Sequence, residues 1–438
     1  GESFGTNNDT ILYCGAFLCS QYEPNSYVIS TRNPLYWDID KIHVERIEEK
    51  YNAETDTLAP EALLRGEVTV ADIPTDQIDG WMNDPSKAKL IRPNRPGSYS
   101  YFFLVNFMPT YTERDGLSHE QWLKAANNMN FRKSLYYGLD RIKGLGCYDP
   151  YTPEDYELRT ITPYNFCAAD GKDYPYLDAL KAITETEQFQ PETAIEYRDK
   201  ARAELEAAGV TFPIMAYMPY NSESTQQTNL AVIVSQQLEE LLGSDYIKFI
   251  IEGYPDTDYL STTRRAGNYS FMMSYWGPDY ADPETWTDPF NLGQAYNYIW
   301  RADGMATQTT QGDGRMGRSG YDETYWKDFV YGQKVAEATA ETVDNNKRYN
   351  ALAETEAWLI DQAFVIPFGV LNSFGYISSC MNPFESQYAP FGMSDDRYKY
   401  QWVYDKPFST EEYLEMLPVW EAERVERIAY AEANGIDY

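Results

Sequence analysis

Asp279 is the residue of this chain whose surroundings best suit ligand chemistry. It follows the run Tyr269–Trp276, in which eight residues carry six large apolar or aromatic side chains and no charge, the pattern of a buried strand. The chain then turns through Gly277, Pro278, Asp279 and Tyr280. Ligands of α/β sheets collect just beyond the carboxyl ends of strands, so a carboxylate between two aromatics on such a turn stands at the mouth of a cleft. A carboxylate there can receive a ligand's ammonium through a charge-assisted hydrogen bond. The same residue types also suit a plain turn, because Asp279 can close an Asx-turn on its own backbone. Asp282-Pro283 reads as a helix N-cap followed by proline at the first helical position, and a cap needs no ligand.

Other chemistries find little support. Catalysis needs a nucleophile with its base, a metal, or two carboxylates of separated acidity. Asp279 and Asp282, three apart on a tight turn, have no assured separation across a sugar, so a glycosidase pair is disfavoured. His119-Glu120 opens a zincin-like pattern, but position 123 is Leu where a second histidine is required. No Cys-x-x-Cys spacing occurs and His43 and His119 are the only histidines, so no zinc site and no other metal or cofactor is expected. His43 falls on the polar phase of Lys41–Ile47, which alternates as a half-buried strand does, and is expected on a solvated face. Gly312-Asp313-Gly314-Arg315-Met316-Gly317 has the spacing of a dinucleotide loop but follows polar residues rather than a strand, in a Gly- and Thr-rich loop over 303–320. Five cysteines cannot all pair; Cys14 with Cys19 or Cys147 with Cys167 could form disulfides in an exported protein, leaving Cys380 free, and buried thiols are the alternative.

The elements that must carry Asp279 are legible from periodicity. Helix 194–208 ends at Gly209, strand 214–218 follows, helix 228–242 ends at Gly243, strand 247–251 follows, and a short helix from Asp256 leads to the strand before Asp279. That alternation predicts an α/β lobe. Before it come strands within 11–29, a short helix 60–65 closed by Gly66, a strand through Ile73, an aromatic strand 99–107, a helix 121–139 and an irregular crossover 148–175. After it come helices 325–341 and 348–360, an apolar segment through Val370 and an amphipathic acidic helix 411–434 packed on the first lobe. A chain of 438 residues is too long for one core and implies two or more lobes. Its 16% aromatic content supplies apolar surface to bury, and a net charge of −32 argues against nucleic acid or anionic lipid as partners. No run of 18 apolar residues and no signal-like opening occur, so no direct membrane insertion is expected of this chain.

Five stretches in register carry a resemblance. Trp276-Gly277-Pro278-Asp279-Tyr280-Ala281-Asp282-Pro283 is similar to the Trp-Gly-x-Asp-Tyr-x-Asp-Pro signature of the extracellular solute-binding proteins of family 5, the peptide-binding components of ABC importers. Arg32-Asn33-Pro34-Leu35-Tyr36-Trp37, Leu64–Val68 with Ala71, Phe131–Leu135 through Asp140-Arg141, and Arg348 to Pro367 with Glu356 and Leu359 resemble further family motifs in the same order. The resemblance implies a two-lobed, type II periplasmic-binding-protein-like α/β fold that closes on ligand by a hinge. On that pattern 1–147 and 368–438 form lobe one, with the C-terminal helix, and 148–367 form lobe two. It implies no enzyme but capture of extracytoplasmic peptides, delivery to the membrane permease subunits of an ABC importer, a monomer, and lipid anchoring of a full-length protein whose N-terminal third is missing here. Asp279 would meet the peptide's ammonium, while Trp276, Tyr280 and the backbone around Gly277 and Pro278 would wall the cleft around an extended peptide. Trp276 also suits a plain core role. Arg264 matches a position that meets the ligand carboxylate in some oligopeptide binders, or else it offsets a helix C-terminus. Tyr217 and Asn221 match a cleft-facing loop, though turn chemistry explains Asn221 as well. Met273 stands where some relatives place a second arginine. Binding of another small solute, such as an oligosaccharide or chelated metal, a carboxylate-dependent hydrolase and a structural interaction module are the alternatives.

Overall fold

The computed structural model describes residues 4–436 apart from Ala53, Asp115, 292–297, 300–329, Asn372 and 386–397, and apart from the side chains of Asp56 and Asp258. The chain divides into two compact units, one of Gly1–Arg95, Ser373–Pro390 and Ser394–Glu426, the other of Pro96–Asn372, Phe391–Met393 and Arg427–Tyr438. Each is mixed α and β, as the α/β expectation requires.

The first unit opens with an antiparallel meander of Phe17–Glu23, Tyr27–Arg32 and Arg46–Lys50. The expected strand over Lys41–Ile47 is displaced. Ile39–Lys41 winds into a 3-10 turn and the strand begins only at Arg46, although Ile42 and Val44 are buried as the alternation asks. His43 is not simply solvated; its ring lies on that of Trp402, with centroids 3.9 Å apart and planes 11° from parallel. A second sheet pairs Tyr376–Ser379 with Val70–Ile73 and Arg92–Pro93 over a core of Ile73, Ile78, Trp81, Ile91 and Tyr376. Helix Thr410–Asn434, which belongs to this unit as far as Glu426, buries Tyr413 and Trp420 against Phe384, and the Arg95 guanidinium sits 4.0 Å from the Trp420 ring centroid.

The second unit is built on strand Ser100–Val105, which pairs antiparallel with Phe271–Trp276 on one side and Val365–Val370 on the other. Phe102, Phe103, Leu104 and Val105 are almost inaccessible, as the near-continuous apolar run requires of a central strand. The break between units therefore falls at 95/96, whereas the lobe division expected from the resemblance falls at 147/148. Strands Ile214–Asn221 and Ile247–Tyr254 form the parallel pair, bridged by helix Thr225–Leu242. Gly209 and Gly243 take positive φ, 77° and 97°, just past helices Pro191–Ala207 and Thr225–Leu242.

The expected helix 121–139 is two helices, His119–Asn127 and Met129–Gly138. Asn128 ends the first with extended backbone and caps the second, its side chain accepting from Phe131 N at 2.9 Å. Residues 148–175 are mostly irregular, with a two-residue hairpin pair at Ala168–Ala169 and Lys172–Asp173. Helices Val330–Thr339 and Asn345–Asp361 precede the strand Val365–Val370; the start of the expected helix 325–341, the loop 303–320 and the glycine pattern at 312–317 lie outside the described residues. None of the five cysteines is in a disulfide, so neither expected pair forms. Among the described residues no helix is long and apolar enough to cross a membrane, and no group of three or more metal-ligating side chains gathers.

Candidate functional site

The turn after Phe271–Trp276 is fixed from three directions. Strand pairing sets Trp276 opposite Ser100 and Tyr275 opposite Tyr101. Gly277 then passes under the ring of Tyr99, where a Cβ would stand 2.7 Å from two ring carbons, so no larger residue fits without displacing that ring. Beyond it, Pro278 is buried while Asp279 and Tyr280 are exposed.

Thr285, fully buried, is the support on which both ends of the turn hang. Its hydroxyl accepts from Asp279 N at 3.0 Å, and its carbonyl accepts from the Trp276 indole Nε1 at 2.9 Å. Thr285 belongs to a 3-10 turn, Pro283–Thr287, capped by Asp282, whose Oδ1 accepts from Glu284 N at 2.9 Å. The cap and proline read from the sequence are thus present. The other oxygen of Asp282 accepts from Arg348 on helix Asn345–Asp361, and a second guanidinium nitrogen of Arg348 donates to Glu284. Burial works against the Arg348 charge, but the two carboxylates outweigh it and hold its pKa above the ordinary value.

Asp279 is not turned onto its own backbone. Among the described residues its carboxylate has no hydrogen bond and no cation. Tyr280 beside it has its phenol pushed up by burial and by the nearby carboxylates of Asp288, Glu284 and Asp282. Both oxygens of Asp282 are committed to the cap and to Arg348, which is the work of a structural carboxylate rather than a glycosidase acid.

Arg264 lies in the last turn of Ser261–Arg265 but is only 4% exposed. Its guanidinium donates to Ser274 Oγ at 3.1 Å and to the Tyr275 carbonyl at 3.4 Å, and lies 5.3 Å from the Tyr275 ring centroid. Arg264 therefore braces the strand that leads to Asp279. Tyr217 and Asn221 belong to another cluster, on the parallel pair. The Tyr217 hydroxyl donates to Glu252 at 3.0 Å and shares a 2.8 Å hydrogen bond with the Tyr254 hydroxyl, while Arg114 pairs with Glu252. Asn221 donates to Asp256 Oδ1 at 2.6 Å and accepts from Glu223 N at 3.0 Å, the turn chemistry anticipated for it. Met273 is half-buried on the strand.

Thr285, Tyr99 and Arg348 were not foreseen as site residues, although Asp282-Pro283 pointed to the turn that Thr285 occupies. A formal Gly-x-Ser-x-Gly at Gly1–Gly5 is followed by a 3-10 turn at Asn8–Thr10, not by the helix of a nucleophile elbow, and Ser3 lies outside the described residues.

Residues 1–298 match the family model of the bacterial extracellular solute-binding proteins, family 5 Middle. The chain is 28% identical over 464 residues to the oligopeptide-binding protein AliA of Streptococcus pneumoniae serotype 4, with 97% of this chain and 68% of that protein covered. It is 27% identical over 460 residues to the oligopeptide-binding protein SarA of Streptococcus gordonii, covering 97% and 67%. Among solved structures it resembles the substrate-binding domain of an oligopeptide ABC transporter from Bacillus anthracis, with a TM-score of 0.59 at 17% identity, over 92% of this chain and 68% of that one. Listeria monocytogenes OppA bound to peptide gives a TM-score of 0.58 at 18% identity, over 92% and 67%. These likenesses bear out the type II binding-protein fold expected from the five motifs. The match spans more than half of the sequence and contains the turn that holds Asp279, so the chain belongs to the bacterial extracellular solute-binding proteins, family 5.

Proposed function

We propose that this chain captures short peptides outside the cytoplasmic membrane and hands them to the permease subunits of an ABC importer, acting as a monomer held at the membrane by a lipid anchor. One observation carries the reading: Asp279 presents an exposed carboxylate, free of any cation among the described residues, at the carboxyl end of a strand. A peptide's ammonium placed there gains a charge-assisted hydrogen bond of about 1.5–3 kcal/mol. Trp276, Tyr280 and the backbone at Gly277 and Pro278 flank that position and give an extended peptide apolar walls and main-chain partners. Arg264 supports the strand through Ser274 and Tyr275, Tyr217 lies mid-strand on the parallel pair and Asn221 closes that strand's end. The residues 148–367 expected to form lobe two include Asp279, Trp276, Tyr280, Arg264, Tyr217 and Asn221, while Tyr99 and Arg114 lie before them. The oligopeptide-binding names of AliA and SarA favour peptides over saccharides or chelated metals. No turnover is required of any of these groups.

Calorimetry with a mixture of tri- to pentapeptides and, separately, with oligosaccharides of similar size tests the reading. Saturable heat from the peptides alone supports it. Heat from the saccharides with none from the peptides would contradict it.

A further inference from the structure

Four carboxylates crowd the turn that holds the proposed ammonium site: Asp279, Asp282, Glu284 and Asp288. A ligand cation drawn to such a group would find several places to rest, and only one of them lies at the strand end. Arg348 resolves this. Its planar fork spans the cap and one residue of the 3-10 turn, one nitrogen on Asp282 and another on Glu284, with the guanidinium side chain 13% exposed against 21% and 35% for its partners. Asp288 has an engagement of its own. Asp279 is left as the carboxylate with no partner among the described residues.

The same contact fixes geometry. Asp282 caps the turn through one oxygen and takes Arg348 through the other, so the guanidinium locks the rotamer that makes the cap. The capped turn contains Thr285, and Thr285 holds both Asp279 N and the Trp276 indole. A chain of three contacts thus runs from helix Asn345–Asp361 to the backbone of Asp279.

We infer that Arg348 is a positioning residue for ligand capture: it withdraws Asp282 and Glu284 from competition and sets the turn that aims Asp279 at a ligand's positive end. The inference rests on the peptide-capture reading above. A lysine cannot reproduce it fully, because an ammonium is a point charge without the fork that meets two carboxylates at once.

The test uses the whole chain as wild type, Arg348→Met and Arg348→Lys, with trialanine and N-acetyl-trialanine as probes. The quantity read is the ratio of the two dissociation constants. Positioning predicts that Arg348→Met lowers the wild-type ratio by about fivefold or more while the acetylated peptide's affinity moves by less than about threefold, and that Arg348→Lys falls between. Equal loss for both peptides, or an unchanged ratio, would overturn it. A second arm needs no ligand: amide exchange at Asp279 and at the Trp276 indole. Arg348→Met is predicted to speed both by about tenfold or more without changing exchange at Ile250 in the parallel pair. Unchanged exchange at Asp279 would overturn the inference. A wild-type ratio of one would remove the ammonium reading instead, and the exchange arm would still decide the role of Arg348.

Discussion

Asp279 owes its placement to a buried hydroxyl rather than to its own side chain. Replacing Thr285 by Val keeps the volume but deletes the acceptor for Asp279 N, while the carbonyl that holds Trp276 survives. One lost hydrogen bond of about 0.5–1.5 kcal/mol predicts a roughly 2- to 10-fold weaker grip on amine-bearing peptides with the strand intact, measured by calorimetry and far-UV circular dichroism. At Gly277 the prediction concerns stability: Gly277→Ala forces the Tyr99 ring aside and costs about 1–3 kcal/mol in denaturant unfolding. The cost should shrink in a Tyr99→Ala background, and an undiminished cost would place the strain elsewhere. The Asp282 cap was legible because its meaning is local, in residue type and spacing. The roles of Thr285, Tyr99 and Arg348 were not, since each acts on a partner brought near only by folding; Arg348 meets Asp282 across 66 residues.

Helices that end in glycine were legible for a similar reason, because the terminus is written into one residue. The break at Asn128 was hidden, since its asparagine serves as cap for the second helix inside an otherwise continuous apolar pattern. At Lys41–Ile47 alternation alone misplaced the strand; burial of Ile42 and Val44 follows the period, but the backbone does not extend until Arg46. The tie between helix Asn345–Asp361 and the crossover was equally invisible. Glu356, deeply buried on that helix, accepts from Ile161 N at 2.7 Å, Thr162 N at 3.1 Å and Thr162 Oγ1 at 2.7 Å. Glu356→Ala strands three buried donors and is predicted to cost about 2–4 kcal/mol of unfolding free energy. Burial raises the Glu356 pKa despite those donors. The folded protein therefore holds this proton more tightly than the unfolded chain does. Its contribution to stability is complete below the ordinary glutamate range and declines as the pH rises through the folded-state value. The stability of wild type relative to Glu356→Gln should accordingly fall as the pH is raised from about 4, followed by denaturant unfolding across pH. A difference that grows with pH would contradict the account.

A net charge of −32 surrounds the site with a field that attracts cations. Association of a C-terminally amidated peptide with a free amine, which is a net cation, should slow as ionic strength rises, while that of its N-acetylated, uncharged amide changes little; stopped-flow fluorescence would follow both. A length of 438 residues asks for more than one core, and the chain divides into two compact units. Nothing local in Ser100–Val105 reveals which strands flank it. The claim that binds these observations is that one uncompensated carboxylate receives a ligand's positive end. Calorimetry on wild type and Asp279→Asn, each with trialanine and N-acetyl-trialanine, isolates that contact from every other. The account predicts that the substitution weakens the free-amine peptide by about 10- to 100-fold and leaves the acetylated one within about twofold. An equal effect on both peptides, or none on either, would contradict it.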